Sequence, residues 1–428
     1  MTEKFIRKNS AGAKPRELGK MLRVLTLFFL ALSFGISVSA QSNAVDLLKA
    51  NLYAIELKDG KLSGKGFDFL MREASDAQFI AMGEQHNNRE IPEFTTALFS
   101  SLHQKLGFNY LALEQDTVTL RLMSGRDFVG KRQRLLDYAS ERPNAFTFAT
   151  DQELAMIADA GEISSAKHRR VWGLDQVFGA VHGLEILYEK IPDPTRKNKV
   201  SQMLDELKKL EAERTAKRER YTIASASEVD GFLDLLNELD DLKDPEARFV
   251  IEQMLISARV YGNNRKAGQG ELTGLKSNVE REENMKRLFV DEYRQAQAAG
   301  DLLPKVLLKF GHYHIIRGRG WSNIHTLGNF VSEFAIANRK KALLIALYVN
   351  NESGDYSVMS SYPNYKVFAD AAPADQWSVI DLRPLRKYAH AGKLEGGNPD
   401  FNRIVFGFDA ALVIGGGTRG TYDLFTKQ

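Results

Sequence analysis

Apolar positions recur along this chain in two different periods, and the switch between them outlines a β-α-β unit from Phe79 to Glu114. Phe79 to Met82 and Tyr110 to Leu113 are apolar runs of strand length, while Phe94, Leu98, Leu102 and Leu106 between them share one helical face. Gly83, Glu84, Gln85 and His86 follow the first run, and Glu114 closes the second. In an open α/β sheet the carboxyl ends of parallel strands form one rim, so these two carboxylates and the imidazole are expected to meet there.

The same alternation extends in both directions. Val45, Leu47, Leu48, Leu52 and Ile55 predict an amphipathic helix over Ala44 to Leu57, followed by a turn from Lys58 to Lys65 and a helix from Phe67 to Ala74. Beyond Glu114, helices are expected at Val118 to Met123 and at Asp151 to Ala160, with a polar region to Asn144 between them. Val171 to Asp175 reads as a third strand whose last residue, Asp175, joins the rim. From Pro192 to about Gly300 the pattern is helical and strongly charged; its a/d spacing is not sustained, which favours an insertion packing on itself over a coiled coil. Val306 to Phe310 returns to strand and ends in Gly311-His312-Tyr313-His314. Leu327 to Ala337 predicts a helix and Ala342 to Val349 a strand, and Tyr356 to Met359, Trp377 to Leu382 and Ile404 to Ile414 predict strands and loops closing the sheet. The expected fold is α/β, a mainly parallel sheet flanked by helices, with a helical insertion over about 182–300.

Composition changes this picture at the N-terminus. Seven Lys and Arg residues precede or border the apolar run Val24 to Ile36, which is followed by Ser37-Val38-Ser39-Ala40. That is the pattern of a secretory signal peptide over residues 1–40, cleaved after Ala40, and it leaves residues 41–428 as one exported domain, periplasmic or secreted. Its removal takes seven Lys/Arg and two Asp/Glu from totals of 58 and 55, so the net charge of +3 becomes about −2. The basicity therefore belongs to the leader, and neither a nucleic-acid partner nor a membrane span is implied for the remainder. The absence of cysteine excludes disulfides, thiolate metal sites and a catalytic thiol.

The candidate chemistry lies in groups that follow strands far apart in sequence: Glu84 with His86, Glu114, Asp175, and His312 with His314. His86 could act as a general base on water, oriented by a carboxylate, with His314 as acid or electrophilic donor. Alternatively His86, Glu114 and His314 could hold a divalent cation that activates water. His103 and His182 on helices, His168 in a basic loop and His390 in the tail read as structural, and His325 stays open.

Gly83-Glu84-Gln85-His86-Asn87-Asn88, Leu111-Ala112-Leu113-Glu114, Gly173-Leu174-Asp175, Arg281-Glu282-Glu283-Asn284-Met285, Gly311-His312-Tyr313-His314 and Phe408 to Val413 together resemble the erythromycin esterase-like/ChaN-like superfamily, which includes the TIKI-type proteases and the TraB proteins. The resemblance covers about Phe79 to Ile414. It implies catalytic roles for Glu84, His86, Glu114 and His314, and substrate-binding roles for Asp175, Arg281 and His312. Erythromycin esterases resemble metal-independent hydrolases in which a histidine activates water; the implied function is an exported hydrolase of an ester or related acyl bond on a small molecule, without a cofactor. Two alternatives follow from other members. The Gly-x-x-His pattern, present twice, resembles the divalent-metal peptidases of the TIKI type. The Glu84-Gln85-His86 spacing is closer to the haem-binding ChaN lipoproteins, whose lipid-bearing cysteine is missing here.

Overall fold

The computed structural model of the chain describes residues 42–123, 132–217, 219, 222–267, 272–350, 363–396 and 398–426. The leader, and the strand expected at Tyr356 to Met359, lie outside them.

Among the described residues, nine strands form one sheet: β1 (Leu52–Lys58), β2 (Lys61–Ser63), β3 (Ala77–Glu84), β4 (Tyr110–Asp116), β5 (Val171–Asp175), β6 (Val306–Gly311), β7 (Lys341–Asn350), β8 (Trp377–Asp381) and β9 (Ala410–Gly415). Their order is β2-β1-β8-β9-β7-β3-β6-β4-β5. From β9 to β5 every pairing is parallel, while β1, β2 and β8 pair antiparallel at one side. The α/β class and the mainly parallel sheet are therefore as the periodicity predicts. The parallel strands β3, β4 and β6 are buried along their whole length, which is why they read as continuous apolar runs.

Helices cover both faces. On one, α1 (Glu90–Leu106) and α2 (Asp151–Ile163) set Phe94, Leu98, Leu154 and Ile157 against Ile80, Met82 and Leu307. Gly107, in the left-handed region at φ 73°, ends α1 by donating its N–H to His103 and Leu102 carbonyls. On the other face, α4 (Thr273–Ala298) and α5 (Leu327–Ala337) pack Met285, Phe289, Tyr293 and Val331 over Phe79, Tyr110 and Leu308. Between β5 and β6 the described residues are helical apart from their connections, and a core of their own gathers Leu184, Val200, Leu207, Leu236 and Met254, the last from α3 (Pro245–Arg265). The first half of α4 carries Arg281 and Glu282 to the strand ends, where they bond Asp175, Glu114 and His314.

Three expectations are corrected, the first being that within the turn expected from Lys58 to Lys65 the residues Lys61–Ser63 form strand β2. The helix predicted over Ala44 to Leu57 stops at Ala50, and Leu52–Lys58 is β1. Asn51 closes the helix, its side-chain amide donating to the Leu47 carbonyl at 2.8 Å, and Asp59-Gly60 then turn the chain so that Leu57 pairs with Leu62. The apolar positions that suggested a longer helix also alternate as Tyr53, Ile55 and Leu57, and sheet pairing decides between the two. Likewise Ile404 belongs to a helix, Pro399–Gly407, whose start is fixed by Pro399 and by Asn398, which accepts from the Phe401 N–H at 2.8 Å. Only Ala410–Gly415 is strand, and it lies inside the sheet between β7 and β8.

Candidate active site

Strand order decides which chemical groups can meet. β3, β6, β4 and β5 are neighbours in that order, so Glu84, Gly311, Glu114 and Asp175 end side by side although they span more than half of the chain. Glu84 pairs in register with Gly311. A Cβ at Gly311 would lie 2.6 Å from His86 Nε2, so a side chain there displaces the imidazole.

His86 follows β3 in a loop that turns at Asn87, whose φ of 65° suits asparagine. The loop is fixed from several sides. Asn88 donates to the Gln85 carbonyl at 2.7 Å, Gln85 accepts from the Val349 N–H at 3.0 Å, and the Asn87 carbonyl accepts from the Gly420 N–H at 2.8 Å. So held, the imidazole donates through Nδ1 to Glu84 Oε1 at 3.0 Å and lies face to face with Phe148, ring centres 3.9 Å apart. Phe148 is held by Gln115, which donates to its carbonyl at 2.6 Å. The outer nitrogen, Nε2, faces Glu114 Oε2 at 3.5 Å.

Glu114 is the centre of the cluster. Its Oε2 accepts from the Gly311 N–H at 2.7 Å, and its Oε1 accepts from Arg281 Nη2 at 2.8 Å and faces His314 Nε2 at 3.3 Å. Arg281 also grips Asp175 with two bonds, Nε to Oδ1 at 3.0 Å and Nη2 to Oδ2 at 2.7 Å. The His314 Nδ1 is hydrogen-bonded to Glu282, whose second oxygen accepts from the Leu327 N–H at 2.7 Å at the start of α5. His86, Glu114, Arg281, Glu282 and His314 line one cleft of roughly 450 Å³, with Tyr313, 58% exposed, and Trp321 on its outer wall.

The charges of the cluster follow from these contacts. Burial alone would push the Glu84 carboxyl up, but the Lys309 ammonium and the His86 ring outweigh it and hold it below its usual range. For Glu114 burial also opposes the charge, and His314, His86 and Arg281 together bring it well below the usual range. Burial would strip protons from both histidines. Glu114 and Glu84 nevertheless raise His86 above 6.5, and Glu114 and Glu282 push His314 up to about 10.

Six of the seven site residues expected from sequence thus come together: Glu84, His86, Glu114, Asp175, Arg281 and His314. Glu84 and Asp175 join the cluster through His86 and Arg281 without lining the cleft themselves, and the His312 ring stands outside it. That ring, 6% exposed, stacks on Tyr348 at 4.9 Å, and burial followed by the nearby His86 charge lowers it to about 3. Three partners escaped the sequence: Lys309, Glu153 and Glu282. Lys309 was visible as the one charged residue inside Val306–Gly311, and Glu282 as the neighbour of Arg281, but their partners are set by the fold.

The donor set does not fit a divalent metal. Glu114 is the carboxylate facing both Nε2 atoms, and its oxygens are taken by Arg281 and the Gly311 N–H, with a permanent guanidinium charge in contact. Among the described residues no group of three or more Asp, Glu or His side chains is placed to hold a metal ion, and no helix is long and apolar enough to cross a membrane.

No family model and no curated protein matches the chain. Solved structures do. A Bacillus cereus protein shares 15% identity at a TM-score of 0.51, covering 88% of this chain and 98% of that one. A succinoglycan biosynthesis protein shares 14% identity at a TM-score of 0.54, over 90% of this chain and 99% of that one. A mutant of erythromycin esterase EreC in its open conformation shares 15% identity at a TM-score of 0.50, over 86% and 98%. Identity this low speaks for the fold, and on that ground the chain has the erythromycin esterase-like α/β fold that its strand-end motifs resemble.

Proposed function

We propose that this protein is a hydrolase that uses His86 to activate water against an ester or related acyl bond of a small molecule. The observation that carries this is the His86 ring itself: Nδ1 is fixed by Glu84 at 3.0 Å, leaving Nε2 turned to the cleft, where Glu114 and His314 stand. A neutral His86 takes a proton from water through Nε2 while the water oxygen attacks the acyl carbon. The carbonyl oxygen becomes an oxyanion, which the Arg281 guanidinium and, below about pH 10, the His314 imidazolium stabilise with positive charge. As the carbon–oxygen bond breaks, the proton on His86 passes to the leaving alcohol. A divalent-metal peptidase is the weaker reading because Arg281 already stands where the metal charge would act.

The test is a panel of esters, lactones and peptides followed over pH. Esters or lactones are expected to turn over. kcat/KM is expected to rise with pH through a midpoint above 6.5, since His86 must lose its proton to act as base, and to fall near pH 10 as His314 loses the proton it donates. Turnover of no ester, or a rate that does not change across the His86 titration, would overturn the proposal.

Export is proposed on the strength of the leader alone. The mature chain is expected to begin at Gln41, and N-terminal sequencing of the protein from the cell envelope or medium checks it; an intact residue 1–40 segment would mean a tethered protein.

A further inference from the structure

Lys309 occupies a position that the strand pattern reserves for an apolar side chain. Leu307 and Met82 face the core under α2, and by strand alternation Lys309 and Glu84, two residues further along β6 and β3, face the same way. The lysine is 2% exposed. Register places it opposite Met82, so Glu84 is its diagonal neighbour. Its ammonium donates to Glu84 Oε1 at 2.6 Å and to both oxygens of Glu153, on α2, at 3.1 and 2.9 Å. Burial opposes its charge, and Glu153 and Glu84 more than restore it. Taking an ammonium out of water is expensive, and well-packed apolar residues would serve the core at least as well. Something other than core stability therefore accounts for a lysine here.

We infer that Lys309 is a positioning residue for the reaction: anchored by Glu153, it fixes the Glu84 carboxylate so that Glu84 holds the His86 ring with Nδ1 inward and Nε2 toward the substrate. It touches neither substrate nor His86 and acts through Glu84 alone. One oxygen, Oε1, receives both the ammonium and the imidazole Nδ1–H, so the lysine determines where that oxygen sits as well as its charge. Glu153 is the outer member of the row. Removing it leaves the Lys309–Glu84 contact, whereas removing Lys309 leaves the buried Glu153 without a cation and Glu84 with the His86 ring alone.

This inference rests on His86 being the base, and the experiment separates the two. The primary measurement is independent of turnover: the imidazole Nδ1–H proton resonance of His86 in the full-length mature protein, assigned by its disappearance in His86→Ala. It is expected in the wild type and in Glu153→Gln, and lost in Lys309→Met while thermal unfolding of that variant stays cooperative. An unchanged resonance in Lys309→Met overturns the inference. The second measurement is a double-mutant cycle in kcat with Glu84→Gln. Lys309→Met is expected to lower kcat by about 10-fold or more in the wild-type background with KM within about 2-fold, and by less than about 2-fold once Glu84 is already glutamine. An equal loss in both backgrounds is what a purely structural lysine gives, and it overturns the inference. Should Lys309→Met fail to fold, the same comparisons are made between Glu153→Gln and Glu153→Gln/Lys309→Met, where the surplus carboxylate is gone. If the wild type hydrolyses no ester, the proposed function falls and the resonance alone decides the role of Lys309.

Discussion

His86→Ala is expected to lower kcat by about 10²–10⁴-fold, the range over which a general base accelerates proton transfer. The fold should survive, because the loop carrying His86 is held by other atoms: the Asn88 amide on the Gln85 carbonyl, the Val349 N–H on Gln85 and the Gly420 N–H on Asn87. Glu84 keeps Lys309 when the imidazole is gone, so no buried carboxylate is stranded. Chelators should leave the wild-type rate unchanged, since Arg281 and the Gly311 N–H occupy the Glu114 oxygens that a metal would need. The measurement is single-turnover and steady-state hydrolysis of the best ester, with circular dichroism of the variant and elemental analysis of the wild type. A variant retaining more than about a tenth of the activity, or stoichiometric metal whose removal abolishes turnover, would refute the assignment of His86 as base.

Arg281→Met is expected to cost stability on a scale that no other single change in the cleft reaches, about 3–5 kcal/mol at neutral pH. The guanidinium bridges Glu114 and Asp175, both buried, through three hydrogen bonds, and a methionine of similar length fills the space while leaving the carboxylates without their cation. The pH dependence has a definite sign. Glu114 titrates in the folded protein well below its ordinary 4.5, so its ionisation contributes stability that is present above that value and lost as pH falls through the folded pKa. Without Arg281 that contribution shrinks, and the gap between wild type and variant should be widest near neutrality and close as acid protonates the carboxylate in both. Denaturant unfolding from about pH 2 to 8 measures it; a difference below about 1 kcal/mol at neutral pH would show that His314 and His86 suffice as counter-charges.

How much of this was legible in the sequence depends on how local each signal is. The strand ends were legible because β3, β4, β5 and β6 are short apolar runs broken abruptly by Glu, Asp or His, and the rim of a parallel sheet turns that into proximity. Arg281 was legible through a resemblance and not through periodicity, which puts it on a charged helix like many others. The pairing of Lys309 with Glu153 was not legible, since it depends on β6 being laid between β3 and β4 and on α2 crossing that face, and neither event leaves a local mark. His312 shows the opposite failure. It follows β6 directly, as His314 nearly does, yet its ring turns into an aromatic pocket beside Tyr348 while His314 turns toward Glu114. Strand alternation would put two histidines two apart on one side, but both follow the end of β6 in a turn, the His314 N–H donating to the Gly311 carbonyl, and the sequence alone does not say which of them will face the cleft.

The interior place of β9 also has a consequence in time. A ribosome delivers residues 410–415 after every other strand, yet this strand must be laid between β7 and β8, so until it arrives β7 presents an unpaired edge and β8 has no neighbour on that side. Shortly afterwards Gly420 reaches the Asn87 carbonyl and Thr418 the Arg89 N–H. A nascent chain can therefore assemble β3, β4, β5 and β6 and bring the acidic groups together while the loop bearing His86 still lacks its last anchors. The candidate site is complete only once residues 410–420 are in place, and a chain interrupted before residue 410 carries most of its acidic and basic groups on an open sheet.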